Sequence, residues 1–229
     1  MKQSKKKAHL RSQRPDAGKS ILIGITGGIG AGKSTVLSEI QAFFPVYLIA
    51  ADEVGRELME PGKSVFSALT AHYGSEILQE DGTINRAKLS EIGMKDEESQ
   101  KILNAIEHPI IKDEILKRIA GITEVSQENG TKPVILLEAA LLVEGGFDTV
   151  CDEVWFISAP KEIRVERLIE SRGYSRKKAL QIIARQLPYR TFLENCDHVI
   201  RNGADLSKTQ AAVRRRMKEI TASLCDSEV

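Results

Sequence analysis

Apolar residues fall along the chain in two alternating rhythms. Ile21-Leu22-Ile23-Gly24-Ile25 is a short apolar run ending in glycines, the signature of a strand buried on both faces. Residues 33–43 then place Val36, Leu37, Ile40 and Phe43 at helical spacing, a stripe suited to lie against a sheet. Pro45 stops that helix, and Val46-Tyr47-Leu48-Ile49 predicts a second strand. Strand, glycine loop, helix and strand make a βαβ unit, whose crossover favours parallel pairing. Further buried strands are predicted at 134–137, 153–157 and 198–200, and helices at 160–170, 175–187 and 206–224.

The interval from Asp52 to about Gly121 differs. It is helical, without strand alternation, and is broken at Pro61-Gly62, at Asp81-Gly82 and before Pro109. Asp52 and Asn85 are placed to cap helices over 53–59 and 86–94, and Pro109 suits the first turn of a helix running to about residue 119. The whole pattern predicts an α/β fold, a doubly wound, five-stranded, mainly parallel sheet with a helical insertion after the second strand. The expected organisation is a basic arm over 1–20 and one domain over 21–229. Within that domain the core spans 21–51 and 131–224, the insertion 52–121 and a lid 160–190.

With 229 residues, 41% hydrophobic and 28% charged, the chain is neither a disordered polymer nor a disulfide mini-protein. The formal charge of +1 conceals an asymmetry. Residues 1–20 hold seven basic groups against Asp16, a net +6, which leaves −5 on the remainder. A nucleic-acid-binding body is therefore not expected, and any polyanion affinity is confined to the arm, read as solvated and disordered. Cys151, Cys196 and Cys225 are odd in number and show neither metal-ligand spacing nor a CxxC pair, which predicts a reducing cytoplasm. No apolar run reaches the roughly 18 residues of a membrane span, and the N-terminus lacks the apolar core of a signal peptide.

The chemistry begins at Gly27-Gly28-Ile29-Gly30-Ala31-Gly32-Lys33-Ser34, which matches G-x-x-x-x-G-K-[ST] between a predicted strand and a predicted helix. Glycines let successive backbone N–H groups face phosphate oxygens, and the helix N-terminus adds a partial charge of about +0.5. Gly28, Gly30, Ala31, Gly32, Lys33, Ser34 and Thr35 are thus the expected nucleotide-phosphate residues. Lys33 bridges the β and γ phosphates, Thr35 meets the α phosphate, and Ser34 completes the coordination of Mg²⁺.

The loop alone does not name the reaction, and no Asn-Lys-x-Asp guanine signature accompanies it. Asp52, after the second strand, suits either of two roles, accepting a proton from an attacking hydroxyl or capping the next helix. Arg56 suits a substrate phosphate or an i,i+4 pair with Glu60. Glu138 ends the third strand, where an acid can orient Mg²⁺-bound water or cap a turn. Arg164, Arg167, Arg172, Arg176 and Arg185 populate two helical segments joined near Gly173, and as a set they predict a lid.

With these residues in place, the chain resembles the dephospho-CoA kinases from about Ile21 to Ala222. The likeness is carried by Thr26-Gly27-Gly28-Ile29-Gly30, more distinctive than the general loop pattern, and by Asp52 with Arg56, Glu60-Pro61-Gly62, Asp81-Gly82-Thr83 and His108-Pro109-Ile110-Ile111. Later come Leu141-Leu142-Val143-Glu144, Arg167-Leu168, Gln186, and Asp197-His198-Val199-Ile200 with Asn202. The resemblance implies Mg²⁺-dependent transfer of the γ-phosphoryl group of ATP to the ribose 3′-hydroxyl of dephospho-CoA, with Asp52 as general base and Lys33 neutralising charge. It further implies substrate binding by Asp52, Arg56 and His108, a lid bearing Arg167 and Arg172, and Asn202 beside the adenine. ATP and dephospho-CoA are the expected partners, without nucleic acid or membrane, and a monomer is favoured. Three positions depart from the family pattern: Ala50 replaces the first acid of Asp-x-Asp, Ala140 a proline, and Arg201 an acid. The Arg167-to-Arg172 spacing is one residue longer than the pattern. The alternatives are a kinase of another nucleoside or small alcohol, and a nucleotide-binding regulator that has lost transfer.

Overall fold

The structure is a computed structural model that describes Arg14 and residues 18–225. Its sheet has the order β2-β3-β1-β4-β5, built from β1 (Ile21–Thr26), β2 (Tyr47–Ala50), β3 (Val134–Glu138), β4 (Glu153–Ser158) and β5 (His198–Arg201). Each strand lies within one residue of its predicted bounds. β1 runs parallel to β3, with Ile21 opposite Val134, and to β4, with Ile23 opposite Glu153, while β4 runs parallel to β5. The chain first winds to one side of β1 and then to the other, the doubly wound arrangement that sequence patterning predicts.

The apolar runs are continuous because both faces of the central strands are covered. Ile23, Ile25, Val134, Leu136, Trp155 and Ile157 form one face. Against them pack Val36, Leu37 and Ile40 of α1 (Lys33–Phe43) and Val213 and Met217 of the C-terminal helix, Leu206–Cys225. On the other face, Gly24 permits a close approach, since a Cβ there would lie 2.7 Å from Cys151 Sγ and 2.9 Å from Leu142 Cδ1.

The chain divides into two compact units. One is Ile49–Gly121, and the other is formed by the chain on either side of it. The Ile49–Gly121 unit contains α2 (Ala51–Leu58), α3 (Ser64–Tyr73), α4 (Arg86–Lys95) and the first part of α5 (Glu97–Glu128). Asn85 caps α4, its Oδ1 accepting the Lys88 N–H at 3.0 Å. Asp52 does not cap α2, because that helix begins at Ala51, two residues before the expected start, and its N-cap is Ala50, which has no capping side chain. The break expected before Pro109 is also absent, since α5 runs through it. A proline removes one backbone hydrogen bond, and the turns that follow bury Ile111, Ile115 and Ile119, which offsets that loss.

The second unit carries α6 (Lys161–Arg172), α7 (Arg176–Ala184), α8 (Tyr189–Asn195) and α9 (Leu206–Cys225). α7 stops at Ala184, short of the expected Leu187: the Arg185 and Gln186 N–H groups donate three residues back, to Ile182 and Ile183, and Pro188 disfavours helix at the residue before it. α8 was not expected from sequence. It follows Pro188 and lays Phe192 flat on Phe156 of β4, with ring centroids 4.5 Å apart. The basic arm lies outside the described residues apart from Arg14 and residues 18–20. Arg14 departs from the solvated reading, since it is buried with Nη2 donating to Asp152 Oδ2 at 2.8 Å.

Leu103, Glu107, Ile111, Ile115 and Ile119 follow one another on α5 at steps of four, so Glu107 occupies a position in the apolar stripe. Burial raises its carboxyl from 4.5 to about 7. Between those values the folded chain holds a proton that the unfolded chain lacks, so stability falls as pH rises through this window and levels off above about pH 7. Glu107→Gln is therefore expected to raise Tm at pH 8, with the gain shrinking toward pH 4.5; thermal melts across this range check it. Ala50→Asp is expected to add a side-chain cap to α2 worth about 1 kcal/mol, measurable by chemical denaturation.

Candidate active site

β1 delivers the chain into the loop Gly27–Gly32, and α1 begins at Lys33. Gly27 is pressed against the neighbouring strand, where a Cβ would come within 2.5 Å of the Ile157 carbonyl oxygen. Gly32 has φ +85°, and a Cβ there would overlap Asn202 Nδ2. Both positions exclude a side chain, for steric reasons at the first and for backbone conformation as well at the second. The Lys33 ammonium folds back to donate to the Gly27 carbonyl at 3.2 Å and lies 3.4 Å from Glu138 Oε1. Each of the two side chains is 16% exposed. Glu138 thus faces the loop lysine. Ser34 and Thr35, in the first turn of α1, are exposed.

Donors from distant parts of the chain hold the outer side of the loop. Arg164 Nε donates to the Ile29 carbonyl at 2.8 Å. Arg167 Nη1 donates to the Gly30 and Ala31 carbonyls at 3.3 and 3.2 Å, and its Nη2 to the Gly203 carbonyl at 3.1 Å. Asn202 is buried, its Nδ2 donating to the Ala31 carbonyl at 2.9 Å and the Gly32 carbonyl at 3.3 Å. Gln186 Oε1 accepts the Ile29 N–H at 3.1 Å and also a hydrogen bond from Arg164 Nη2. Burial lowers the Arg164 pKa, yet an arginine stays charged. The Ile29 side chain packs on Val165, Leu168 and Ala179 of α6 and α7.

Beside this loop, Ser158, Pro160, Arg164, Gln186, Tyr189 and Gly203 line part of a cavity of about 750 Å³. Arg172, at the end of α6, is exposed, and Gly173 turns the chain there with φ +63°. Of the sequence-predicted residues, the loop glycines, Lys33, Glu138, Arg167 and Asn202 are brought together within one unit. Arg164 and Gln186 belong with them. The signals for these two were the arginine cluster and the lone glutamine after α7, neither of which indicates by itself which backbone group it reaches.

In the other unit, Asp52 and Arg56 are exposed on α2, one turn apart. Asp52 makes no side-chain hydrogen bond among the described residues, and Arg56 makes no ion pair with Glu60. His108 is half-buried on α5 beside Pro109, and burial lowers its pKa. In the unit that carries the glycine loop, burial raises the Glu144 pKa.

A strand, a glycine loop ending in Lys-Ser, a helix and an acid after the third strand are the parts that grip and neutralise a polyphosphate. Comparison with known proteins gives the same direction. The sequence profile of the dephospho-CoA kinase family matches residues 21–208. A dephospho-CoA kinase of Corynebacterium glutamicum is 37% identical over 198 residues, covering 86% of this chain and 98% of its own. One from Moorella thermoacetica is 33% identical over 205 residues, covering 90% and 94%. Among solved structures, TT1252 from Thermus thermophilus superposes with a TM-score of 0.71 at 25% identity, covering 90% of this chain and 98% of that one. The dephospho-CoA kinase from Campylobacter jejuni shares the fold, with a TM-score of 0.63 at 22% identity over 88% of this chain and 98% of that one. The chain belongs to the dephospho-CoA kinase family, ATP-using enzymes that phosphorylate an alcohol group.

Proposed function

We propose that the chain transfers the γ-phosphoryl group of ATP to the ribose 3′-hydroxyl of dephospho-CoA, giving CoA and ADP in the cytoplasm. The observation that carries this reading is the loop Gly27–Ser34 with Lys33 held between the Gly27 carbonyl and Glu138. An ammonium that moves from Glu138 onto phosphate oxygens keeps a negative partner, and the carboxylate it leaves would be compensated by the Mg²⁺-bound water assigned to it below.

The base of ATP is assigned to the cavity between Pro160, Tyr189 and Gly203. The triphosphate then runs along the N–H groups of residues 28–35 to Lys33, which neutralises charge on the β and γ oxygens. Ser34 and Glu138 would hold Mg²⁺, one hydroxyl directly and one carboxylate through water. That donor set fits an ion that keeps several waters and binds few protein ligands. When bound, the ion supplies electrostatic stabilisation of the transferring group.

Asp52 is assigned as the base that accepts the 3′-hydroxyl proton. Its exposed carboxylate, in the first turn of α2 and without a competing hydrogen bond, supports the assignment. Arg56, also exposed and without an ion pair to Glu60, is assigned to the substrate's phosphate, and His108 to the substrate-binding surface of the insertion. Arg172 is assigned as the lid cation, since the Arg167 guanidinium already serves three carbonyls.

Incubating the purified protein with ATP, Mg²⁺ and dephospho-CoA is expected to yield ADP and a product phosphorylated at the 3′ position, read by mass spectrometry and phosphorus NMR. Phosphate on a different hydroxyl, or ATP binding without any acceptor phosphorylation, would replace this function with one of the alternatives. Asp52→Ala is expected to keep ATP affinity and lose about 10²- to 10⁴-fold in kcat. Turnover close to that of the unaltered enzyme would remove Asp52 from the role of base.

A further inference from the structure

Every peptide of the glycine loop carries an acceptor as well as a donor, and the fate of the acceptors is unusually complete. The four consecutive carbonyls of Ile29, Gly30, Ala31 and Gly32 all accept hydrogen bonds from side chains, at 2.8 to 3.3 Å. The donors come from two elements only. Arg164 and Arg167 stand one turn apart on α6, and Asn202 follows β5.

We infer that Arg167 and Asn202 are positioning residues for phosphoryl transfer: by holding the carbonyls of residues 30–32 outward, they fix the intervening N–H groups in the orientation that grips phosphate. Neither residue needs to touch the nucleotide to do this. The two are joined through a shared acceptor, since both donate to the Ala31 carbonyl. Each is also anchored away from the loop. Asn202 Oδ1 accepts from Thr209 Oγ1 at 3.3 Å and its backbone N–H donates to Ser158 at 2.7 Å, while Arg167 Nη2 is held by Gly203. The absence of a Cβ at Gly32 is what admits Asn202 Nδ2 to this place.

The alternative for Arg167 is direct neutralisation of the γ-phosphate, and the two roles differ in which nucleotides they affect. A fixed loop serves the β-phosphate of ADP as much as that of ATP, whereas a γ-phosphate ligand serves ATP alone. The inference rests on the nucleotide-binding part of the function proposed above and is independent of the acceptor.

The test measures binding of ATP, ADP and AMP by calorimetry to the full-length protein and to its Arg167→Ala, Arg167→Lys, Asn202→Ala and double Ala variants, each with its Tm. Loss of charge-assisted hydrogen bonds predicts weakening of about 10- to 100-fold for ATP and ADP alike, with AMP little changed. Arg167→Lys, whose single ammonium cannot span both Ala31 and Gly203, should recover part of the loss. ATP weakened with ADP unchanged would overturn the inference and make Arg167 a γ-phosphate ligand. Equal weakening of ATP, ADP and AMP, or a lowered Tm with unchanged affinities, would overturn it in favour of a purely structural role. If Arg167→Ala does not fold, Arg167→Lys and Asn202→Ala decide between the same outcomes. Unaltered protein that binds no ADP would defeat the inference and the nucleotide assignment together, whereas intact ADP binding without acceptor phosphorylation would count against the proposed reaction only.

Discussion

A peptide chain that turns successive N–H groups toward one point must turn the matching carbonyls away from it. A carbonyl left buried without a donor costs about 1 to 3 kcal/mol, so a phosphate-gripping loop is only as good as the donors behind it. Here those donors are Arg164, Arg167 and Asn202, drawn from α6 and from the segment after β5. The sheet order follows the same need. β4 stands next to β1 and β5 next to β4, so the chain leaving β4 into α6 and the chain leaving β5 both arrive at the loop that follows β1. The strand order and the carbonyl hydrogen bonds of the glycine loop are therefore linked, because it is this order that brings α6 and the segment after β5 to the loop.

Much of this was legible in the sequence, and the rest has identifiable reasons for being hidden. The strands were readable because burial on both faces leaves uninterrupted runs such as Val134-Ile135-Leu136-Leu137, whose members are almost wholly buried. The inner side of the glycine loop was readable because its motif is local. Its outer side was not, because the contacts of Arg164 and Asn202 span 135 and 171 residues of chain. α8 escaped notice because seven residues after a proline are too few to display a period, and its single buried residue, Phe192, is fixed by stacking on another element. Pro109 misled in the opposite direction: local propensity favoured a boundary, and packing of the following turns overrode it.

The Ile49–Gly121 unit has a set of buried apolar side chains. Val65, Leu69, Ile77, Leu89, Ile115 and Ile119 are fully or almost fully buried, and an antiparallel bridge between Leu78 and Ile84 closes the turn around Gly82. Its functional candidates Asp52 and Arg56 lie on the exposed side of α2, while Val54 and Leu58 face inward. The helix therefore separates the residues that hold it in place from those exposed to solvent. Glu107 is the exception, a carboxyl set in an apolar stripe whose pKa burial raises to about 7.

Ile29 occupies what motif notation writes as a wildcard. In this protein its side chain is partly buried against α6 and α7, and its backbone N–H and carbonyl are bonded by Gln186 and Arg164. The tip of the loop is thus a docking peg whose shape is dictated by what covers it. A chain that shares the glycines, lysine and serine but carries a polar residue at this place must roof its loop by other means. The unspecified letters of such a signature therefore record the architecture above the nucleotide, as the specified ones record the phosphate.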